Sequence, residues 1–468
     1  MKIIIIGAGK IGYNLAKHLS SEDNDVIIID KDQKALAKVE DSLDVMPIKG
    51  NGIRTSTLLD AGCKGIDLII AVTGSDEVNM LCCLTAKKLG ALRSIARIRD
   101  PQYAKELLLI KEDLGLDMVI NPEQVAAHEI TRILTMPGAT KVSTFAQGRV
   151  GMVGLTIKKN TPIAGLKIKQ IVEKFNVPIL IGVIIREGNV IIPNGDFEVE
   201  VNDSIYAIGH LATLYNFCKH VQDKGNRVKR VLVVGGGKIT YYLAELLHEL
   251  NIKVKVIEKD EATCLNLAEE LPDTLIINGD GTDSTLLLQE HIESVDSFIA
   301  LTNRDEENII SSLIAKQHKV DSVITKISRS NCRSVIEGIG IDTVISPQEF
   351  TTDHILKYVR GNTVETLQRI MDGQGEVIEF IATANDHLLL DTPIHKLNLL
   401  SNVLIAAVVR KNRVVILNGN DRLYEGDRVL IITTRNITRL KDIIHHTAGG
   451  FKSELKNNLK KLGNAINM

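Results

Sequence analysis

The chain repeats itself, and that duplication restricts its fold more than any other feature. Gly7 to Asp30 recurs as Gly235 to Glu258, each 23 residues from glycine to acid. Both copies open on a short apolar run, residues 3–6 or 231–234. A glycine turn follows, then a helical pattern (Leu15, Leu19; Leu243, Leu246, Leu247, Leu250), then a second apolar run that ends on the acid. The match continues through Gly50-Asn51-Gly52 and Gly279-Asp280-Gly281, and through residues 69–74 and 297–303. Asp76-Glu77-Val78-Asn79 and Asp305-Glu306-Glu307-Asn308 then place acids where the dipole of a starting helix favours them. Further strands are predicted to end near Ile98 and Ile327.

Strands alternating with helices imply a parallel sheet covered on both faces. The fold class expected is therefore α/β: two Rossmann-like, doubly wound parallel-sheet domains, each followed by a small α+β domain. Pro122 and Pro347 mark where the last strand of each Rossmann unit gives way to a connecting helix. The smaller domains are predicted from a second repeat, in which Thr161-Pro162-Ile163 matches Thr392-Pro393-Ile394 and residues 183–186 match 407–410. Each alternates β-rich runs with turn residues and one helix-like stretch. The boundaries expected are 1–122, 140–225, 229–348 and 368–450, with a basic tail at 451–468. Residues 223–227 form a polar hinge between the halves.

Composition removes several function classes. A net charge of -2 gives no general field for nucleic acid, and aromatic residues for base stacking are 3% of the chain. Six cysteines (Cys63, Cys82, Cys83, Cys218, Cys264, Cys332) show no C-x-x-C spacing, which fits reduced thiols better than a disulfide framework or a zinc knuckle. The apolar run at residues 3–6 stops at Gly7, far short of a secretory signal, and no run approaches the ~20 residues of a membrane-spanning helix.

The chemistry-bearing motif is Gly7-Ala8-Gly9-Lys10-Ile11-Gly12, a full G-x-G-x-x-G between a buried strand and a helix. Gly7 permits the tight turn, Gly9 lets the backbone approach a pyrophosphate, and Gly12 lets helix and strand pack closely. Contacts to ligand are expected from Gly7, Ala8, Gly9, Lys10 and Ile11. Asp30 stands where a carboxylate accepts hydrogen bonds from ribose hydroxyls and repels a 2′-phosphate, favouring NAD or ATP over NADP. Thr73, Gly74 and Arg97 sit at or just past later strand ends, where ligands of open α/β sheets lie. Arg97 either reaches phosphate oxygens or closes a surface salt bridge.

The second copy reads Gly235-Gly236-Gly237-Lys238-Ile239-Thr240, followed by Glu258. Thr240 replaces the third glycine and is expected to push helix and strand apart, while Glu258 carries its carboxylate one methylene further. Gly235, Gly236, Gly237, Lys238, Ile239 and Glu258 therefore form either a second nucleotide site or a purely structural turn. Lys326 takes the place of Arg97.

A dehydrogenase needs a positioned proton donor or acceptor beside its nicotinamide, and none is recognisable. The twelve histidines are scattered, and His445-His446 fits a solvent-facing helix end. No spacing suggests a metal site, and no catalytic residue is assigned.

Taken together, the glycine motif, Asp30, residues 71–77, Ala96-Arg97-Ile98-Arg99 and the tandem order resemble the Trk potassium-uptake regulatory subunit family (TrkA), built from tandem RCK domains. The resemblance covers roughly residues 1–446. It implies a non-enzymatic, cytoplasmic regulatory subunit on the inner face of the cell membrane that gates a membrane-embedded potassium uptake transporter. It also implies self-association into a ring (dimer or tetramer) and binding of NAD(H) and of ATP or ADP. An NAD-dependent oxidoreductase is the alternative. The tail, with Lys452, Lys456, Lys460 and Lys461 against Glu454, either touches a partner or anionic lipid or is solvated.

Overall fold

The structure, a computed structural model, describes residues 1–22, 24–101, 103, 106, 111, 114–221, 227–328, 336, 339–360, 364–370, 373–435 and 437–445. The basic tail, Cys332, His446 and all of the predicted hinge except Arg227 lie outside these residues. The chain divides into two compact units, residues 1–142 with 218–359, and residues 143–217 with the chain from Arg360 on.

The first Rossmann copy contains β1 (Lys2–Ile6), α1 (Lys10–Ser20), β2 (Asp25–Asp30), α2 (Gln33–Glu40), β3 (Met46–Lys49), α3 (Thr55–Asp60), β4 (Leu68–Ala71), α4 (Asp76–Lys88), β5 (Arg93–Arg97), β6 (Met118–Ile120) and α5 (Pro122–Thr135). Its strands run parallel in the order β3-β2-β1-β4-β5-β6. Helices cover both faces of such a sheet, so its central strands are apolar throughout rather than alternating. Ile3, Ile4 and Ile5 are accordingly all fully buried. The helix starts carry their own caps: Ser75 accepts from the Val78 N–H at 3.2 Å and Asn121 from the Gln124 N–H at 2.9 Å, with Pro122 in the first turn of α5.

The first smaller domain contributes β7 (Lys141–Phe145), β8 (Val150–Thr156), α6 (Ile168–Phe175), β9 (Ile179–Arg186), β10 (Asn189–Ile191), β11 (Ser204–His210) and α7 (Leu211–Val221). The second Rossmann copy follows with β12 (Arg230–Val234), α8 (Lys238–Glu249), β13 (Lys253–Glu258), α9 (Glu261–Glu270), β14 (Leu275–Asn278), α10 (Ser284–Gln289), β15 (Ser297–Ala300), α11 (Asp305–Gln317), β16 (Ser322–Lys326), β17 (Thr343–Ile345) and α12 (Pro347–Arg360). Its sheet repeats the first in the order β14-β13-β12-β15-β16-β17. The last domain holds β18 (Val364–Ile370), β19 (Gly375–Ile381), β20 (Val403–Arg410), β21 (Arg413–Ile416) and β22 (Arg428–Thr433).

The two smaller domains form five-stranded sheets, β10-β9-β11-β8-β7 and β18-β19-β22-β20-β21, which share one topology and one apolar cluster including Met152, Val183, Ile208, Ala407, Leu430 and Ile432. Each sheet is pinned by the same device. Arg186 clasps buried Asp203 through Nε and Nη2, both at 2.8 Å, and Arg410 clasps buried Asp427 at 2.9 and 2.7 Å. Each guanidinium also lies over a ring, Phe197 or Tyr424.

The expected helix appears only in the first of these domains, as α6. Between Thr392 and Ala407 the only helical turn of the second domain is the 3₁₀ turn Ile394–Lys396; its other described 3₁₀ turns, Ala384–Asp386 and Leu440–Ile443, lie outside that stretch. The reason is length: Thr161 to Val183 spans 22 residues (183 − 161), whereas Thr392 to Ala407 spans 15 (407 − 392). The missing seven residues amount to about two helical turns.

No helix among the described residues is long and apolar enough to cross a membrane.

Candidate functional site

The first glycine loop bridges the carboxyl end of β1 and the start of α1. Gly7 has φ +106°, and its N–H donates to Ile29 O at 2.8 Å, which ties the loop to the end of β2. A side chain there would stand 3.1 Å from the Thr73 nitrogen and the Val72 carbonyl, so the neighbouring strand end leaves room for glycine alone. A Cβ on Gly12 would collide with the Gly7 carbonyl oxygen. Around Gly9 and Gly74, by contrast, an added Cβ meets nothing within 4 Å, and Gly9 caps α1 without a side-chain hydrogen bond. The first turn of α1 holds no acid. Backbone N–H groups of Lys10 and Ile11 thus point out of a positive helix end, a ready acceptor of an anion.

Asp30, at the end of β2, holds this loop. Its Oδ2 accepts from the Ala8 N–H at 2.5 Å and its Oδ1 from the Asp32 N–H at 2.9 Å. Each carboxylate oxygen has a second lone pair, so the group can still accept two further donors. On the other side, the Thr73 N–H and hydroxyl both donate to Asn79 Oδ1, at 2.8 and 2.7 Å. Fully buried Asn79 in turn donates to Arg97 O at 2.8 Å, so one side chain of α4 fixes the ends of β4 and β5 together. Gly74 O accepts from Arg99, which also pairs with Asp76.

Arg97 is brought beside Thr73, with Nη1 3.4 Å from Thr73 O and Nη2 3.5 Å from Glu123 Oε1. Arg97 Nε and Glu123 Oε2 are the buried side-chain nitrogen and oxygen atoms that lack a partner among the described residues. Burial pushes the guanidinium below its usual pKa, with Glu123 opposing the shift. The orphaned Arg97 Nε–H is a donor open to an added anion, whereas the orphaned Glu123 Oε2 calls for a donor instead. The residues present therefore fit a dinucleotide or nucleoside polyphosphate: Asp30 for ribose, Gly7 to Ile11 for phosphate, Thr73, Gly74 and Arg97 along the opposite wall.

The second loop keeps the backbone of the first. Gly235 has φ +103° and Gly237 caps α8 in the same extended conformation as Gly9. Thr240 does not displace the turn as expected. Its buried hydroxyl donates to Gly235 O at 2.5 Å, converting the crowded contact into a hydrogen bond. Glu258 repeats both bonds of Asp30, from the Gly236 N–H at 2.5 Å and the Asp260 N–H at 2.8 Å. Its extra methylene explains Gly236: a Cβ there would lie 3.0 Å from Glu258 Cγ and 2.7 Å from Leu267 Cδ1. Lys326 is buried, with Nζ 3.4 Å from Leu301 O and 3.5 Å from Asn303 Oδ1, and burial lowers its pKa. Asn303 thus fills the position that Gly74 leaves open.

The two Rossmann copies meet through α5 and α8. Asn121 Nδ2 donates to the buried Tyr242 hydroxyl at 2.8 Å, and Lys238 Nζ lies 3.0 Å from Asp100 Oδ2. Burial pushes the Tyr242 phenol well above its ordinary pKa, which keeps it neutral.

The TrkA-N domain family matches residues 3–122 and 231–347, and the TrkA-C domain family matches residues 152–222 and 377–445. The chain belongs to the TrkA family. The chain is similar to the Trk system potassium uptake protein TrkA homolog 1 of Methanosarcina mazei, 36% identical over 441 residues that cover 92% of this chain and 97% of the relative. The Trk system potassium uptake protein TrkA of Haemophilus influenzae is 34% identical over 456 residues, covering 96% and 99%. Among solved structures, the GsuK RCK domain aligns with TM-score 0.61 at 18% identity, covering 92% of both chains. A GsuK channel bound to NAD aligns with TM-score 0.61 at 19% identity, covering 92% of this chain and 76% of that one. These likenesses establish the RCK fold.

Within this TrkA-family chain, sequence reasoning missed three residues that organise the site. Asn79 was readable, because Asn308 repeats it and makes the same bond to the Thr302 N–H at 2.8 Å. Glu123 carries no such signal, since Gln348 stands in its place after Pro347. Tyr242 acts only through the partner copy, which no local pattern displays.

Proposed function

We propose that this TrkA-family chain is a cytoplasmic regulatory subunit, peripheral on the inner face of the cell membrane, that gates a membrane-embedded potassium uptake transporter by binding NAD(H) and ATP or ADP. The observation that carries the nucleotide part is the first glycine loop, where Asp30 is prepositioned by the Ala8 N–H and the α1 helix end is free of acid, with the unpartnered Arg97 Nε at the end of β5. The proposed contacts are Gly7 to Ile11, Asp30, Thr73, Gly74 and Arg97, with Gly235 to Ile239 and Glu258 as the weaker set. The names of the relatives supply the transport context. Nucleotides act by differential affinity for two arrangements of the assembly, since a ligand that binds both equally shifts neither. No reaction is required.

A duplicated set of exposed apolar residues supports self-association. Met46, Leu59 and Leu81 are exposed in the first copy, and Leu275, Leu288 and Ile310 are exposed at the matching positions of the second. A duplicated exposed apolar set is expected where copies of one fold pack side by side into a ring.

Calorimetric titration with NADH and with ADP, beside an absorbance assay for NADH oxidation, tests the reading. Saturable binding of both without turnover is expected. Absence of binding refutes it, and sustained substrate-dependent oxidation restores the oxidoreductase alternative.

A further inference from the structure

The two glycine loops carry lysines at the same positions, yet these lysines stand in opposite electrostatic states. In the first copy Lys10, which opens α1, and Lys31, just after Asp30, are exposed and make no ion pair or hydrogen bond among the described residues. In the second copy Lys238, which opens α8, lies 3.0 Å from Asp100, an acid supplied by the first copy. Lys259, just after Glu258, lies 2.8 Å from Asp280, which follows β14 at the place of Asn51. Asp280 is held there by the Thr282 N–H and hydroxyl at 3.0 and 2.7 Å, and its carboxyl is pushed down to about 2, first by the Lys259 contact. Lys326 is turned onto Leu301 O and Asn303.

We propose that the second loop is self-liganded: Asp100 holds Lys238 at the phosphate-side helix end and Asp280 holds Lys259 beside the ribose-side acid Glu258, so nucleotide fills the first loop and enters the second about tenfold more weakly. This rests on the nucleotide reading above. The magnitude follows from exposure. Both ion pairs are open to solvent, and displacing each resists entry by about threefold, which multiplies to about tenfold for the two. Asp100 also makes the arrangement directional, because it comes from the first copy beside Arg97 and Arg99 and meets the loop of the second.

The test titrates ADP into the full chain, into Asp30→Ala, and into Asp30→Ala with Asp100→Asn and Asp280→Asn singly and together. The unmodified chain is expected to show one tight and one weak class; in Asp30→Ala the first loop falls to about the affinity of the second, and only the second-loop class responds to the asparagine substitutions. Each asparagine substitution then tightens that class about threefold, and both together about tenfold. Asparagine is isosteric with aspartate, and the single variants report independently should the triple variant fold poorly. Two equal classes in the unmodified chain, or a weak class unmoved by the substitutions, overturns the inference. Absence of ADP binding to the unmodified chain instead sinks the nucleotide reading itself, and the inference with it.

Discussion

Replacing Asp30 by alanine separates what this carboxylate does for the fold from what it does for a ligand. In the fold it accepts from the Ala8 N–H at 2.5 Å and from the Asp32 N–H at 2.9 Å. The Asp32 donor is exposed and passes to water, whereas Ala8 is buried and its orphaned N–H costs about 1–2 kcal/mol. A drop of a few degrees in Tm is therefore expected, not unfolding. For a ligand, the second lone pairs of the two oxygens receive the ribose hydroxyls. Each charge-assisted bond contributes about 1.5–3 kcal/mol, so losing one alone weakens binding about tenfold or more. Calorimetry with ADP and with 2′,3′-dideoxy-ADP distinguishes the two effects. At its tight class the unmodified chain should prefer ADP by at least about tenfold, and Asp30→Ala combined with Glu258→Ala, which removes the matching acid of the second loop, should bind both alike. A folded double variant that still prefers ADP by the full factor refutes the assignment of these acids to the ribose.

Gly12→Ala should destabilise the first unit by about 1–3 kcal/mol, because the new Cβ meets the Gly7 carbonyl; thermal unfolding reads this. Thr240→Ala, which only removes the hydroxyl bond to Gly235 O, should cost about 1 kcal/mol. Asp203→Ala removes the buried acceptor of the Glu200 N–H and of Arg186, which is partly exposed and keeps Glu200 and Glu198 O, and should cost about 1–3 kcal/mol, measured by urea unfolding of the full chain. Leu81→Asp with Ile310→Asp places charge within the duplicated set of exposed apolar residues; light scattering should show smaller assemblies with an unchanged circular dichroism spectrum. An unaltered mass would count against these residues as the joint.

The sequence by itself determined the architecture, because periodicity and glycine placement are local. The unbroken apolar run at residues 3–6, stopped by Gly7, reads as a strand covered on both faces, and a glycine at position 7 with an acid at position 30 fits the turn and the strand end observed. Duplication then doubled each inference. Tertiary structure alone decided what depends on partners distant in the chain. Whether Arg97 is satisfied depends on Glu123, which faces it only once β5 and the start of α5 are packed together. That Thr240 is harmless depends on the direction of one hydroxyl, and the disappearance of a helix from the second smaller domain depends on a seven-residue shortening. The pairing of Lys238 with Asp100 spans 138 residues and two copies of the fold, and no motif can announce it. Side-chain identity sets which bonds a residue can make. Packing sets which of them are left for a ligand.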